Sequence, residues 1–501
     1  MRSPRILAAA GTVAAAALVL TACTPDGGSS ESGSPDADAT VNVGLVLEPT
    51  DLDIRTTDGI ALDQVLIDNV YEGLVSRTAS GDIVDTIAKS HEVSEDGLTY
   101  TFDLNDGVTF QNGDEVTAED VVWSISQVKD DEGMQGHTDL ANVTSITATD
   151  DDTVTLALSA PDSNLLWNLA GRAGLVLDEA ATNDLSTTAV GTGPYTLKSW
   201  KQGDSLTLER NDDYWGEKAR VKSVVFRYIT DANAGINAML AGDLDVQTAV
   251  DANLATQFDG NADIEIARGK TTDKYTLAFN NKVAPLNDVR VRQAIRMAID
   301  HAAVVKAVGG AAVEQGGPIP ELDPGYEDLT DVAPYDPTKA KELLAAAGQS
   351  NLSLDLTIPS FYGTSVATLL VSELEKVGIT LNVKSVEFAT WLNDVYTNKD
   401  FQLSYVDHAE SRDFGNWANP DYYFGFDNAD VQRLYQESVA AADPETAAAK
   451  LKEAARIVSE QAGADWLYNA VTLTAVRTGV TGFPTDSTST RLDLGELAVQ
   501  E

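Results

Sequence analysis

Cysteine is almost absent: Cys23 is the only one in 501 residues, which excludes an intramolecular disulfide. Histidine is nearly as scarce, and His91, His137, His301 and His408 stand scattered, without a metal-ligand spacing. A metal site built from protein side chains alone is therefore not expected, and no resident cofactor is implied. Neither a thiol-based site nor a Gly-x-Ser-x-Gly elbow is present, which removes two enzyme signatures. Basic residues are outnumbered, with 34 Lys and Arg against 78 Asp and Glu and a net charge of −44. Nucleic-acid binding needs the opposite sign and is excluded. Long apolar runs are missing too, apart from Leu7 to Leu20, which falls short of the about 20 residues that span a bilayer.

That one apolar run has a clear context. Arg2 and Arg5 precede it, and small residues close it at Leu20-Thr21-Ala22-Cys23. A basic start, an apolar centre and a small-residue end make residues 1–22 a secretory signal. Leu-Thr-Ala-Cys resembles the bacterial lipobox, which implies that Cys23 becomes the first mature residue and carries a diacylglyceryl group. Two acyl chains give stable anchoring, so the expected location is the cell membrane, lipid-anchored on its extracytoplasmic face. Residues 23–40 are rich in Gly, Ser, Asp, Pro and Thr and read as a flexible linker.

Beyond residue 40 the patterns alternate between strand and helix periods. Val41 to Leu47 reads as a strand and Leu62 to Leu74 as a helix. Leu98, Tyr100, Phe102 and Leu104 share one strand face, and Thr117 with Asp120 opens a helix through a capping box. Strands are expected at Ile146 to Leu158, Tyr195 to Trp200, Ser205 to Glu209 and Val224 to Ile229, with a helix at Ala232 to Leu240. Val289 to Val308 reads as one long helix, and Asp336-Pro337 starts another that ends before Gly348. Leu352 to Ile358, Ser365 to Val377 and Ile379 to Val386 form a β-α-β unit, which implies a largely parallel sheet. A last helix covers Thr446 to Gln461. Gly191-Thr192-Gly193 lacks the third glycine of a dinucleotide loop and leads into a strand, so it reads as a tight turn.

Four stretches carry a family resemblance over nearly the whole mature chain. They are Tyr71-Glu72-Gly73-Leu74-Val75 through Thr117-Ala118-Glu119-Asp120-Val121-Val122; Gly191-Thr192-Gly193-Pro194-Tyr195 with Asn211-Asp212-Asp213-Tyr214-Trp215-Gly216; Phe279-Asn280-Asn281 with Asp288-Val289-Arg290-Val291-Arg292-Gln293-Ala294; and Tyr335-Asp336-Pro337 through Ala347-Gly348. In this order they resemble the family 5 extracellular solute-binding proteins, the dipeptide, oligopeptide and nickel-binding components of ABC importers. The resemblance implies an α/β fold, a two-lobed periplasmic-binding-protein-like clamp of class II type with an additional inserted α/β domain. Lobe I would comprise residues 41–75, 191–280 and 479–501, the inserted domain II residues 76–190, and lobe III residues 281–478. The chain would cross between lobes near Phe279 to Leu286 and near Thr474 to Val480.

The densest mixture of aromatic and charged residues is Phe401 to Phe426. In peptide-binding relatives an aspartate of this region pairs with the ligand's α-ammonium, and the resemblance implies Asp407 for that role, with Asp413 as a second candidate. His408 and Glu410 belong to the same segment, which otherwise reads as a solvated loop with an internal charge cluster. Arg412 suits a ligand carboxylate, since its planar fork matches one bidentately, or pairs internally with Glu410 or Asp413. Tyr405 and Trp417 are candidate cleft walls or core aromatics. Phe361 and Tyr362 follow a strand end, where open α/β sheets place ligands, and Glu48 follows the first strand of the other lobe. The expected function is capture of a short peptide or peptide-like solute by a monomer and its delivery to ABC permease subunits, without catalysis. Chelated nickel, haem or an oligosaccharide are alternative solutes, and a secreted surface hydrolase is the rival class.

Overall fold

The computed structural model describes residues 35–181, 183–487 and 490–500. The expected signal, Cys23 and the linker as far as residue 34 lie outside the described residues. The rest of that linker is docked rather than free. The Asp36 N–H donates to Val499 O at 2.8 Å and Arg210 Nη1 to Ala37 O at 2.7 Å, and the first strand, Thr40–Leu45, starts within the expected linker.

One mixed sheet runs through the molecule. Its order is Ile379–Val386, Leu352–Pro359, Leu403–His408, Ile264–Phe279, Ala464–Arg477, Val246–Gln247, Thr40–Leu45, Ser223–Tyr228, Ser205–Arg210 and Tyr195–Lys201. Parallel pairs occur at Thr40–Leu45 with both its neighbours and around Leu352–Pro359, as the β-α-β pattern implied. The central pairs and those at the Tyr195–Lys201 end are antiparallel, so the sheet is not largely parallel.

The long strands Ile264–Phe279 and Ala464–Arg477 each serve two cores. Ile264, Leu473 and Ala475 pack with Ile236, Met239 and Leu244. Leu277, Phe279 and Leu467 pack with Val291, Ile295, Leu354 and Leu356. Between these halves the ladder is interrupted from Lys270 to Lys274. The chain therefore passes between lobes at about these residues and their partners Asn469 to Val471, earlier in both strands than the family resemblance implied. Strand alternation continues on both sides and hides the change of core.

The first lobe buries Val41, Val43, Leu45, Tyr195, Leu206, Leu208, Val224 and Phe226, and the C-terminal Phe483, Leu492, Leu494 and Leu497 return to this core. The inserted segment has its own core, made by a four-stranded antiparallel sheet and the helix Ala118–Asp130. That helix begins with the expected reciprocal cap: Asp120 N–H donates to Thr117 Oγ1 at 3.3 Å and Thr117 N–H to Asp120 Oδ2 at 2.9 Å.

Three elements differ from the sequence patterns. The first helix is only Ala61–Leu66, because Asn69 O and Val70 O turn away to accept the N–H groups of Tyr195 and Gly193, at 2.8 and 3.0 Å. A Cβ at Gly191 would lie 2.0 Å from Val70 O, so the Gly-Thr-Gly turn is required by this close approach. The expected long helix is two, Val289–Ala298 and His301–Ala307, the second capped by Asp300 Oδ1, which accepts the Ala303 N–H at 3.1 Å. Ile146 to Leu158 spans a hairpin, Val143–Asp150 and Thr153–Leu158.

Strand directions then fix where the cleft lies. Thr40–Leu45 and Val246–Gln247 run toward the crossover from the first lobe. Leu403–His408 runs toward it from the second lobe, with His408 opposite Lys274, and Leu352–Pro359 is parallel to it. The carboxyl ends of strands from both lobes thus meet where the chain crosses, the position at which open α/β sheets bind ligands.

Candidate functional site

A cavity of about 440 Å3 opens at this meeting point, lined by Thr272 and Glu410 at the crossover, Asp63 and Arg77 near the inserted domain, and Arg491 and Asp493 from the C-terminal tail. Both charge signs line it. Arg491 is paired with Asp68 at 3.0 Å, whereas Arg77 makes no ion pair among the described residues and stacks on Trp167, 4.1 Å from the ring centroid. Burial, then repulsion from Arg491, lowers the Arg77 guanidinium to about 9.

Beside the cavity, the strand end brings Asp407 opposite Tyr275. The Asp407 N–H donates to Tyr362 Oη at 3.0 Å. Tyr275 stacks on Tyr468 with centroids 4.6 Å apart and lies 5.8 and 5.9 Å from Tyr362 and Tyr405. Tyr405 and Tyr468 share a hydroxyl hydrogen bond of 2.7 Å. Against this wall, Asp407 Oδ1 is buried without a hydrogen-bond partner among the described residues. Such a carboxylate oxygen carries a desolvation cost that only a donor or a proton relieves.

Charge in this corner is unbalanced. Asp273, Asp407, Glu410 and Asp413 gather around one ammonium, Lys274, whose Nζ donates to Glu410 O at 2.8 Å and Thr272 O at 3.0 Å and lies 3.4 Å from Asp413 Oδ1. Burial raises Asp407 to about 8, with repulsion from Asp273 adding to it and Lys274 opposing. Burial likewise raises Asp413 to about 7 and Asp273 to about 6. The corner therefore holds protons at neutral pH, and an incoming cation with N–H donors can replace them.

The structure brings Asp407, Tyr405 and Tyr362 together and leaves Glu410 exposed on the adjoining cavity. Phe361 is 62% exposed and packs edge-on against Phe388 at 5.6 Å, forming an apolar rim at two strand ends. Other candidates lie elsewhere. His408 faces the opposite side of its strand, with Nε2 2.9 Å from Tyr423 Oη, and burial lowers it to about 3, so it stays neutral. Trp417 is a core residue, stacked on Phe424 at 4.3 Å and packed with Phe426 and Trp466. Glu48 Oε1 accepts the Gly203 N–H at 2.6 Å, which fastens a hairpin turn and takes it off the cavity wall. Arg412 and Asp413 line a different cavity, between the inserted domain and the second lobe.

Sequence reasoning missed Asp273, Lys274 and Tyr275 on the crossing strand, and Tyr468 beside them. Their signal was the polar run Lys270-Thr271-Thr272-Asp273-Lys274 inside an otherwise apolar strand. It also missed that His408, Glu410 and Asp413 offer ligand atoms within 4.8 Å of one another. Lys274 already lies against Asp413 there, so the cluster has a cation of its own.

Two lobes joined by paired crossing strands, an inserted third unit and a charged aromatic cleft at the strand ends define a solute-binding clamp. Residues 82–430 match the bacterial extracellular solute-binding proteins, family 5 middle region, and the chain belongs to this family. Heme-binding protein A of Haemophilus influenzae is 26% identical over 90% of this chain and 92% of its own. The fold matches the periplasmic murein tripeptide-binding protein MppA in its unliganded open form, with a TM-score of 0.82, 21% identity, and 94% of this chain and 99% of that one covered. Against the oligopeptide-binding protein AppA of Bacillus subtilis in complex with a nonapeptide the TM-score is 0.70, at 23% identity over 93% of this chain and 100% of that one.

Proposed function

We propose that this protein captures a short peptide, or a peptide-like solute with a free α-ammonium, between its lobes and delivers it to an ABC importer. The observation that carries this is Asp407 Oδ1, buried and unpartnered among four tyrosines and a surplus of carboxyl groups. An α-ammonium supplies the missing donors and charge in charge-assisted hydrogen bonds. The ligand carboxylate falls to the cationic side of the cavity, at Arg77. Closure is a hinge motion at residues 270–274 and 469–471, which covers the rim residues Phe361 and Phe388 and, from the first lobe, Val46 and Leu47. The higher TM-score with an unliganded open form than with a peptide complex supports an open cleft in this structure. The names of two fold neighbours, a tripeptide binder and an oligopeptide binder, support the peptide class.

The likeness to Heme-binding protein A along most of both chains favours haem as the second reading. Calorimetric titration with di- to pentapeptides and with haem separates the two. A peptide is expected to bind more tightly than roughly 100 µM, about −5.5 kcal/mol. Haem binding with no peptide binding would overturn the proposal.

We also infer that the clamp is a monomer held at the extracytoplasmic membrane face through a lipidated Cys23. The support is the order of basic, apolar and small residues that ends at this cysteine. Cys23→Ser is expected to appear in the medium or to stay unprocessed. An unchanged, processed membrane fraction in that variant would contradict the anchor.

A further inference from the structure

A second cavity, larger than the one in the cleft, lies apart from it. It lies between the inserted domain and the second lobe, encloses about 710 Å3 and shares only Gly81, Trp167 and Leu322 with the cleft cavity. Its size falls within the roughly 300–1,000 Å3 of small-molecule sites. Leu166, Trp167, Ile319, Phe414, Val439 and Leu451 make much of its wall.

Arg412 is the only arginine or lysine among its described lining residues, and its surroundings are unusual. Among the other buried arginines, Arg172 pairs with Asp63 at 2.5 Å, Arg296 with Asp465 at 3.3 Å and Arg491 with Asp68 at 3.0 Å, whereas Arg55 and Arg292 donate to backbone carbonyl oxygens and have no carboxylate partner among the described residues. Arg412 has none within 4.0 Å among the described residues. Its Nη1 is 3.4 Å from Asn164 Oδ1, and its Nε is buried with no partner. The guanidinium stacks on Trp167 at 4.0 Å from the ring centroid, so Trp167 and Asn164 of the inserted domain hold it in place. The nearby Asp323 is occupied, accepting from the Arg412 N–H at 2.7 Å and from Ser411 Oγ at 2.5 Å. Those two bonds hold Arg412 at φ +57°, a left-handed conformation that is strained for a non-glycine residue and clusters at functional sites. An oriented guanidinium that faces a partly apolar cavity, with no carboxylate within 4.0 Å among the described residues, has room for an anion.

We propose that this cavity is a second solute site, for an amphiphile with one carboxylate: Arg412 takes the carboxylate and the apolar wall takes the body. A single charge is specified because Asp82, Glu321, Asp323, Asp413 and Glu445 also line the cavity and disfavour a polyanion. The occupant would touch both the inserted domain and the second lobe and so tie them together.

The test titrates the full folded chain with sodium decanoate, 1-decanol and decylammonium by calorimetry. Decanoate is expected to bind at one site at least tenfold more tightly than decanol, with decylammonium weaker still. Arg412→Gln should remove that preference for the carboxylate. Ala448→Trp, which fills this cavity, should weaken decanoate at least tenfold, whereas Ala409→Trp, on the cleft cavity, should not. Equal binding of decanoate and decanol, an unaltered preference in Arg412→Gln, or loss in Ala409→Trp alone would overturn the proposal. None of these outcomes depends on whether a peptide binds the cleft.

Discussion

Asp407→Asn is expected to weaken a free-amine peptide by about 30-fold or more, since removing one partner of a buried, hydrogen-bonded charge pair costs about 2–5 kcal/mol. Calorimetry on the variant and the parent reads this directly, with an N-acetylated twin of the peptide as control. The twin lacks the ammonium, so the same substitution should change its already weak binding little. Asparagine keeps the shape of the side chain and its N–H contact geometry with Tyr362 is unaffected, because that bond uses the main chain. The empty protein should gain stability from the change. Burial holds the Asp407 carboxyl at about 8, above its unfolded value of about 3.9. Its favourable contribution is therefore complete below about pH 3.9 and is lost as pH rises through about 8. Asp407→Asn should then melt above the parent at pH 9, and the gap should close toward pH 4. A binding residue whose removal stabilises the empty fold is the expected signature of a site kept unsatisfied for a ligand.

The largest stability effect is expected at Asp465. Its carboxylate is fully buried in the second lobe, where Oδ1 lies 2.9 Å from His301 Nε2 and 3.3 Å from Arg296 Nε. Arg296 also donates to Ser459 O at 2.6 Å and Gly316 O at 3.0 Å, so the cation stays where it is when the carboxylate is removed. Asp465→Ala leaves that charge buried and uncompensated, at a cost of about 3–5 kcal/mol, measured by urea denaturation. The parent should show the matching pH dependence. Burial pushes Asp465 up, but His301 and Arg296 outweigh it and leave it lowered. Burial pushes His301 down, and the Asp465 charge outweighs that and leaves it raised. The Asp465 contribution is present above its unfolded value of about 3.9 and lost as pH falls through its lower folded value. The His301 contribution is complete below about 6.5 and lost as pH rises through its higher folded value. Both operate together between about pH 4 and 6.5, and the alanine variant should lose that plateau.

Much of the fold was legible because local chemistry and tertiary packing agree. Thr117 and Asp120 cap the helix they announce, and Asp336-Pro337 starts the helix Pro337–Ala346. The Leu352–Pro359 and Ile379–Val386 strands pair in parallel as their connecting helix requires. Errors came where burial does not follow a helical or strand period. Val70, Tyr71 and Leu74 are buried on irregular backbone, so their spacing imitated a helix that stops at Leu66. Asp300 both ends one helix and caps the next, which an apolar period running through it concealed.

The site was half legible. Asp407 and Tyr405 sit on one face of a single strand, and Tyr362 follows the neighbouring one, so pattern and strand-end rules reached them. Asp273, Lys274 and Tyr468 are distant in sequence and meet Asp407 only through strand pairing across the crossover. Trp417 and His408 carried the right residue types on the wrong side of the sheet. A composition-rich segment shows that chemistry is near, but the two-residue period of the strand decides which half of it faces the ligand.

We propose that a protonated carboxyl at Asp407 ionises to receive an ammonium. The direct measurement is a titration of the protein at pH 7 with a free-amine peptide in two buffers of different ionisation enthalpy, which counts the protons exchanged on binding. With Asp407 at about 8 in the empty site, close to one proton should be released per peptide bound. The N-acetylated peptide should release none. Equal binding of the two peptides, or binding of the free-amine peptide with no proton released, would contradict the account.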